Sequence, residues 1–285
     1  MKAAGALIVP CLLALWTAAI AAPPPPAPPP APSDWRTPDP QNILVIDTNK
    51  GRIVVEMSPG AAPLAVARLR DLARAGLYNG QSFFRVIEGF MDQTGDPKND
   101  GTGQSDKPNL PPEFTFRRDA GTPIVVVGRV GGVETGFLGS LPVDSQTMDL
   151  ALLTVDHKVN AWGAYCPGVG GMARSDPPDS ANSQFFLMRD ASPHLEQKYT
   201  AWGRAISGLE VIRAIKVGEP VPAPQDQMLT VRVLADMAPE ERPSVRVIDT
   251  ASPWFQAMAQ RVRAARGANF SICDIDLPAQ VSPAK

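Results

Sequence analysis

The chain has 285 residues, with 27 lysines and arginines against 29 aspartates and glutamates and a formal net charge of -2. That near balance gives none of the basic excess a polyanion binder needs, so no nucleic-acid partner is expected. Its two histidines and three cysteines lack zinc-site spacing, and neither a metal nor a cofactor is expected.

Lys2 precedes an apolar run over 6–20, interrupted by Pro10 and followed by the small residues Ala21 and Ala22. This is the layout of a secretory signal peptide, assigned to 1–21. Cleaved, it predicts a periplasmic or secreted protein with no stable membrane insertion. Uncleaved, it would serve as an anchor, although it is short of the ~20 apolar residues of a spanning helix. Residues 22–41 are assigned to a proline-rich linker, because eight prolines between Pro23 and Pro32 favour extended polyproline II. Once Cys11 is removed with the leader, Cys166 and Cys273 remain. One disulfide or two unpaired thiols both fit the sequence.

A folded domain is predicted over 42–237. Ile43 and Val45 alternate with Leu44 and Ile46, a turn follows at Asn49, Lys50 and Gly51, and a second β-rich run continues over 52–57, so a hairpin is expected. Apolar residues at Leu64, Ala67, Leu69, Leu72, Ala73 and Leu77 predict a helix over 63–78. Short strands are expected at 82–87, 90–93, 124–130, 171–172, 184–188 and 200–206, then a second helix at 209–216 and a final strand at 228–234. Strands with a helix near each end read as a mainly β, α+β barrel. The stretch 118–164 exceeds a loop and is read as an insertion. Residues 238–285 are read as a C-terminal extension with one helix, over 253–266.

Other chemistries find little support. His194 with Asp190 four residues upstream is the only local hint of a Ser-His-Asp hydrolase, and solvated loop residues explain that pair better. Gly168, Gly170 and Gly171 lack the helix and Gly-Lys-Ser/Thr of a phosphate loop and read as a turn before a strand.

Residues 83–96, which include Phe84, Arg85, Phe90, Met91 and Gln93, and residues 181–186, which include Asn182, Gln184 and Phe186, resemble the two signature blocks of the cyclophilins. Gly101 to Gly103, Gly171 to Ala173, and Leu195 to Tyr199 leading to Trp202 and Gly203 extend the resemblance in the same order. It spans about 43–236. It implies an eight-stranded antiparallel closed barrel capped by two helices, and peptidyl-prolyl cis-trans isomerase activity on proline-containing polypeptides during the folding of exported proteins. Arg85 matches the catalytic arginine. Phe90, Met91, Phe186 and Leu195 match the proline pocket, and Gln93, Ala173, Arg174 and Gln184 match groups that grip the peptide backbone. Tyr199 stands where the family commonly has histidine, and His194 where many eukaryotic members have tryptophan, a departure that bears on cyclosporin sensitivity. Phe84 replaces a histidine, Thr94 a glycine and Arg174 an asparagine. These substitutions keep a second reading open, a proline-peptide-binding chaperone or scaffold with weak or no isomerase activity. A monomer is expected in either case.

Overall fold

The computed structural model describes residues 28–282. The expected signal peptide and the first residues of the expected linker lie outside that range. The last part of the linker is not a spacer, since β1 (Trp35–Arg36) lies within it. β2 (Ile43–Thr48) and β3 (Gly51–Met57) form the predicted hairpin, from Ile43 opposite Glu56 to Thr48 opposite Gly51. α1 (Pro63–Arg74) ends earlier than its apolar pattern. Gly76 takes φ +70°, and the amides of Gly76 and Leu77 donate to the carbonyls of Ala73 and Leu72. That left-handed cap turns the chain before Leu77 and Tyr78 can extend the helix.

β4 (Arg85–Ile87) and β5 (Met91–Thr94) follow. β6 (Phe116–Arg118) leads into the predicted insertion, which folds as β7 (Ile124–Val130), β8 (Val133–Leu138), β9 (Leu141–Ser145) and β10 (Val159–Gly163). The chain then runs through β11 (Val169–Met172), β12 (Phe185–Met188), β13 (Ala201–Ser207), α2 (Leu209–Ala214) and β14 (Met228–Val233). The extension supplies two strands besides its predicted helix: β15 (Ser244–Ile248), α3 (Pro253–Arg266) and β16 (Ala279–Ser282). Ser252 caps α3 by accepting from the Phe255 amide at 3.2 Å, with Pro253 in the first turn. No helix among the described residues is long and apolar enough to cross a membrane.

The principal sheet has eight antiparallel strands in the order β14, β2, β3, β13, β11, β12, β5, β4. It curls. The Gly80 amide donates to the Met228 carbonyl at 2.7 Å and the Phe83 amide to that of Asp226 at 2.9 Å, joining the chain before β4 to the start of β14. β6, β10, β9, β8 and β7 form a second sheet in that order, and β1, β15 and β16 a third.

Alternation along β2 explains the layering. Leu44 and Ile46 bury with Ile53, Val55 and Trp202, and with Ala65, Leu69 and Leu72 of α1 and Ile212 of α2. Ile43 and Val45 face the other way, into a core that also holds Phe137 and Val143 of the insertion and Val247, Phe255 and Ile275 of the extension. The rings of Phe137 and Phe255 meet edge to face at 5.5 Å, so insertion and extension also pack on each other.

Cys166, between β10 and β11, is joined to Cys273 of the extension by a disulfide across 107 residues of sequence. Closing so long a loop restricts the unfolded chain. Cys273→Ser is expected to lower the unfolding free energy by about 2–4 kcal/mol in guanidinium titrations. Unchanged stability would mean that packing alone holds the extension.

Candidate active site

Register builds the site. Arg85 on β4 lies opposite Gln93 on β5, Gln93 opposite Phe186 on β12, and Phe186 opposite Gly171 on β11. Directly opposed residues share a face of the sheet, so guanidinium, amide and ring stand in one row across three strands. The fourth place in the row has no side chain because none fits: a Cβ on Gly171 would lie 2.3 Å from Phe186 Cζ. Gly95, just past β5, takes φ +84° and brings its backbone against the Ser183 carbonyl, 2.5 Å from where a Cβ would stand.

A groove of about 390 Å³ opens over this row. Arg85, Phe90, Met91, Gln93, Ala173, Arg174, Phe186, His194, Leu195 and Tyr199 line it, together with Lys198. Gln184 lines instead an adjoining cavity of about 180 Å³, which shares Gln93, Ala173 and Arg174 with the first. The floor is dry: Met91, Phe186 and Leu195 are each at most 5% exposed. Phe90 stacks on His194 at 5.6 Å, and Tyr199 meets Phe186 edge-on at 5.9 Å.

A directional chain of hydrogen bonds fixes the polar side. Arg85 Nη1 donates to Gln93 Oε1 at 3.2 Å, Gln93 Nε2 to Gln184 Oε1 at 3.0 Å, and Gln184 Nε2 to the Gly103 carbonyl at 2.8 Å. Arg85 Nε donates to Glu219 Oε1 at 2.5 Å. Neither Arg85 bond uses Nη2. The site thus presents a permanent cation beside an apolar floor.

Arg174 lies in the site, with Nε and Nη1 engaged by backbone carbonyls. Nε donates to the Lys198 carbonyl at 3.1 Å and Nη1 to the carbonyls of Ser175 and Asp176 at 2.8 and 3.0 Å. Its guanidinium lies 4.6 Å from the Tyr199 ring centre and 5.5 Å from that of Phe114. The two departures near Arg85 are accommodated. Phe84 is 5% exposed and packs beside Gly101, and Thr94 Oγ1 donates to the Ser82 carbonyl at 2.9 Å. Sequence reasoning did not find Glu219, 134 residues from Arg85, because nothing local marks it. Lys198 was visible only as part of a matched block.

Residues 43–234 match the family described as cyclophilin type peptidyl-prolyl cis-trans isomerase/CLD. The chain is similar to a probable peptidyl-prolyl cis-trans isomerase of Brucella suis, 33% identical over 191 residues that make up 63% of this chain and 74% of the relative. It is also similar to peptidyl-prolyl cis-trans isomerase B of Bacillus subtilis, 30% identical over 62% of this chain and 90% of the other. Among solved structures, the cyclophilin AquaCyp293 from Hirschia baltica superposes with a TM-score of 0.82 at 35% identity, covering 89% of this chain and 96% of that one. That coverage exceeds the span 43–234, so the likeness reaches beyond the family domain.

The turn bearing Leu195 and Tyr199 is tied to the insertion through Glu196, whose Oε2 accepts from the Trp162 indole of β10 at 3.1 Å. Burial pushes the Glu196 carboxyl up to about 7, with Asp144 of β9 adding to the rise and the Trp162 bond opposing it. Burial raises Asp144 as well. A folded pKa above the unfolded one means the native state holds the proton more tightly. The stability from protonated Glu196 is therefore complete below about 4.5 and lost as pH climbs through about 7. Guanidinium unfolding across that window should show stability falling with pH, and Glu196→Gln should make the fall less steep. An identical slope in the variant would remove Glu196 as its source.

Proposed function

Because the chain belongs to the cyclophilin-type peptidyl-prolyl cis-trans isomerase family, we propose that it accelerates X-Pro isomerisation in exported polypeptides, with Arg85 stabilising the twisted amide. The observation that carries this reading is the Arg85 guanidinium at the rim of an apolar groove floored by Met91, Phe186 and Leu195. An X-Pro bond rotates over a barrier of ~18–20 kcal/mol because twisting breaks the resonance between nitrogen and carbonyl. No covalent bond has to break. In the twisted amide the nitrogen regains a localised lone pair, and a cation held beside it favours that geometry over the planar one. Phe90, Met91, Phe186 and Leu195 seat the proline ring, while Gln93, Ala173 and Gln184 hold the flanking backbone.

Export is part of the proposal. The leader pattern over 1–21 supports it, and so does the Cys166–Cys273 disulfide, which persists in an oxidising compartment. Two helices over the ends of a closed barrel complete the reading of the fold. The backbone bonds between the β4 and β14 flanks and the α1 and α2 side chains in the inner core support it.

Exchange NMR on a proline peptide tests the chemistry without a coupling protease. Arg85→Ala should lower kcat/KM by roughly 10²–10³, the usual loss when a positioned transition-state donor is removed. Equal rates for the two proteins would refute the Arg85 role. Tight peptide binding with no acceleration in either would instead favour the peptide-holding module. Glu219→Gln separates the charge from its orientation. Arg85 and Glu219 side chains are 37% and 56% exposed, and such a pair is worth at most about 1 kcal/mol. The variant should therefore stay within about fivefold of the parent.

A further inference from the structure

The charge around the two cavities is one-sided. Arg174 lines both, Lys198 and Arg85 line the larger, and among the described residues no aspartate or glutamate lines either. Arg85 has a carboxylate partner in Glu219. Arg174 has none among the described residues: its hydrogen bonds end on the carbonyls of Lys198, Ser175 and Asp176, and its plane lies by the rings of Tyr199 and Phe114. Carbonyls and ring faces orient a guanidinium without cancelling its charge. The smaller cavity also offers Thr102, Ser180, Asn182 and Gln184 as polar walls. The acidic side chains stand behind or beyond the smaller cavity and not in its lining. Asp96, behind Gly103, is buried and accepts from the amides of Lys98, Asp100 and Gly101. Asp100, Asp176 and Asp179 are exposed, where solvent and salt screen them.

We propose that this site selects proline segments with an acidic side chain within about two residues of the proline, on the side running toward the smaller cavity, with Arg174 and Lys198 as the specificity-determining residues. The inference rests on the isomerase reading above. An extended segment advances ~3.3 Å per residue, so a residue two positions from a proline seated over Phe186 reaches about 7 Å along the groove. The Arg174 guanidinium lies 4.6 Å from the Tyr199 ring centre, itself 5.9 Å from that of Phe186. A side chain at that reach therefore comes within the Debye length of about 8 Å of the charge at physiological salt. Glu219 sits on the Arg85 side, which makes the groove polar along its length and gives the preference a direction.

The test uses the full chain without its leader and single-proline decapeptides bearing Glu, Ala or Lys at each of the two positions before and after the proline, with kcat/KM read by exchange NMR. Glu at positions on one side should exceed Ala by about two- to fivefold, the scale of a partly exposed ion pair, and Lys should fall below Ala. The Glu-to-Lys ratio should shrink toward one in 0.5 M salt, taken as about 4 Å of Debye length. It should also shrink in Arg174→Gln and in Lys198→Ala, whatever their overall rates. The salt series on the parent protein keeps the test intact if a variant does not fold. A ratio of one at every position, with all peptides turned over, overturns the charge preference alone. Absence of turnover for every peptide overturns the isomerase reading beneath it.

Discussion

A buried ion pair under β5 decides where the groove stands. Asp92 is fully buried and Arg189 is 2% exposed, with Nη1 donating to Asp92 Oδ1 at 3.0 Å. Two charges out of water are costly unless they are well partnered, and here the partners come from the structures that must be held together, although Arg189 Nε and Asp92 Oδ2 make no hydrogen bond among the described residues. Arg189 also donates to the carbonyls of Ile212, Arg213 and Ile215 at the end of α2 and to Glu88 in the turn between β4 and β5. Carbonyls at a helix C-terminus run short of amide partners and carry the negative end of the dipole; of these three, the Ile212 carbonyl also accepts from the Ile215 amide. Asp92 sits between Met91 and Gln93, so anchoring it inward turns both neighbours to the groove. Burial raises the Asp92 carboxyl against the downward pull of Arg189.

The same clamp places Glu219. After α2 the chain pairs with β4, since the amides and carbonyls of Val86 and Gly218 exchange hydrogen bonds at 2.8 and 2.9 Å and the Val221 amide donates to the Phe84 carbonyl. Glu219 follows Gly218 as Arg85 precedes Val86, so an antiparallel bridge puts the carboxylate beside the guanidinium. Their partnership is a product of topology.

How much of this could be read from the chain alone follows from the range of each interaction. The β2–β3 hairpin and α1 rest on local pattern and turn chemistry and were legible, as was the clustering of Arg85, Phe90, Met91 and Phe186 through the matched blocks. The apolar character of both faces of β2 was visible, but what covers the outer face was not. Phe137, Phe255 and Ile275 come from segments that the sequence marked only as additions. The pairing of Cys166 with Cys273 and of Trp35 with Ile248 joins remote segments of the chain whose distance no periodicity encodes. The early stop of α1 needed one residue, Gly76, to outweigh two apolar positions beyond it.

Arg174 is the case where a matched position carries a different side chain with a different reach. Where the family has an asparagine, a short amide can turn toward a bound backbone. An arginine in that place is long enough to lie between Tyr199 and Phe114 and reach carbonyls on both sides of it. Its contribution therefore passes from hydrogen bonding at a fixed point to a charge held over a wider area. Gln93 and Gln184 remain as amides joined in one chain to Gly103, and in the proposed isomerase the directional part of backbone recognition would rest on them. In the proposed isomerase the apolar floor near Phe186 would answer to the proline ring, which every client shares, and the field near Arg174 to the residues around it, where clients differ.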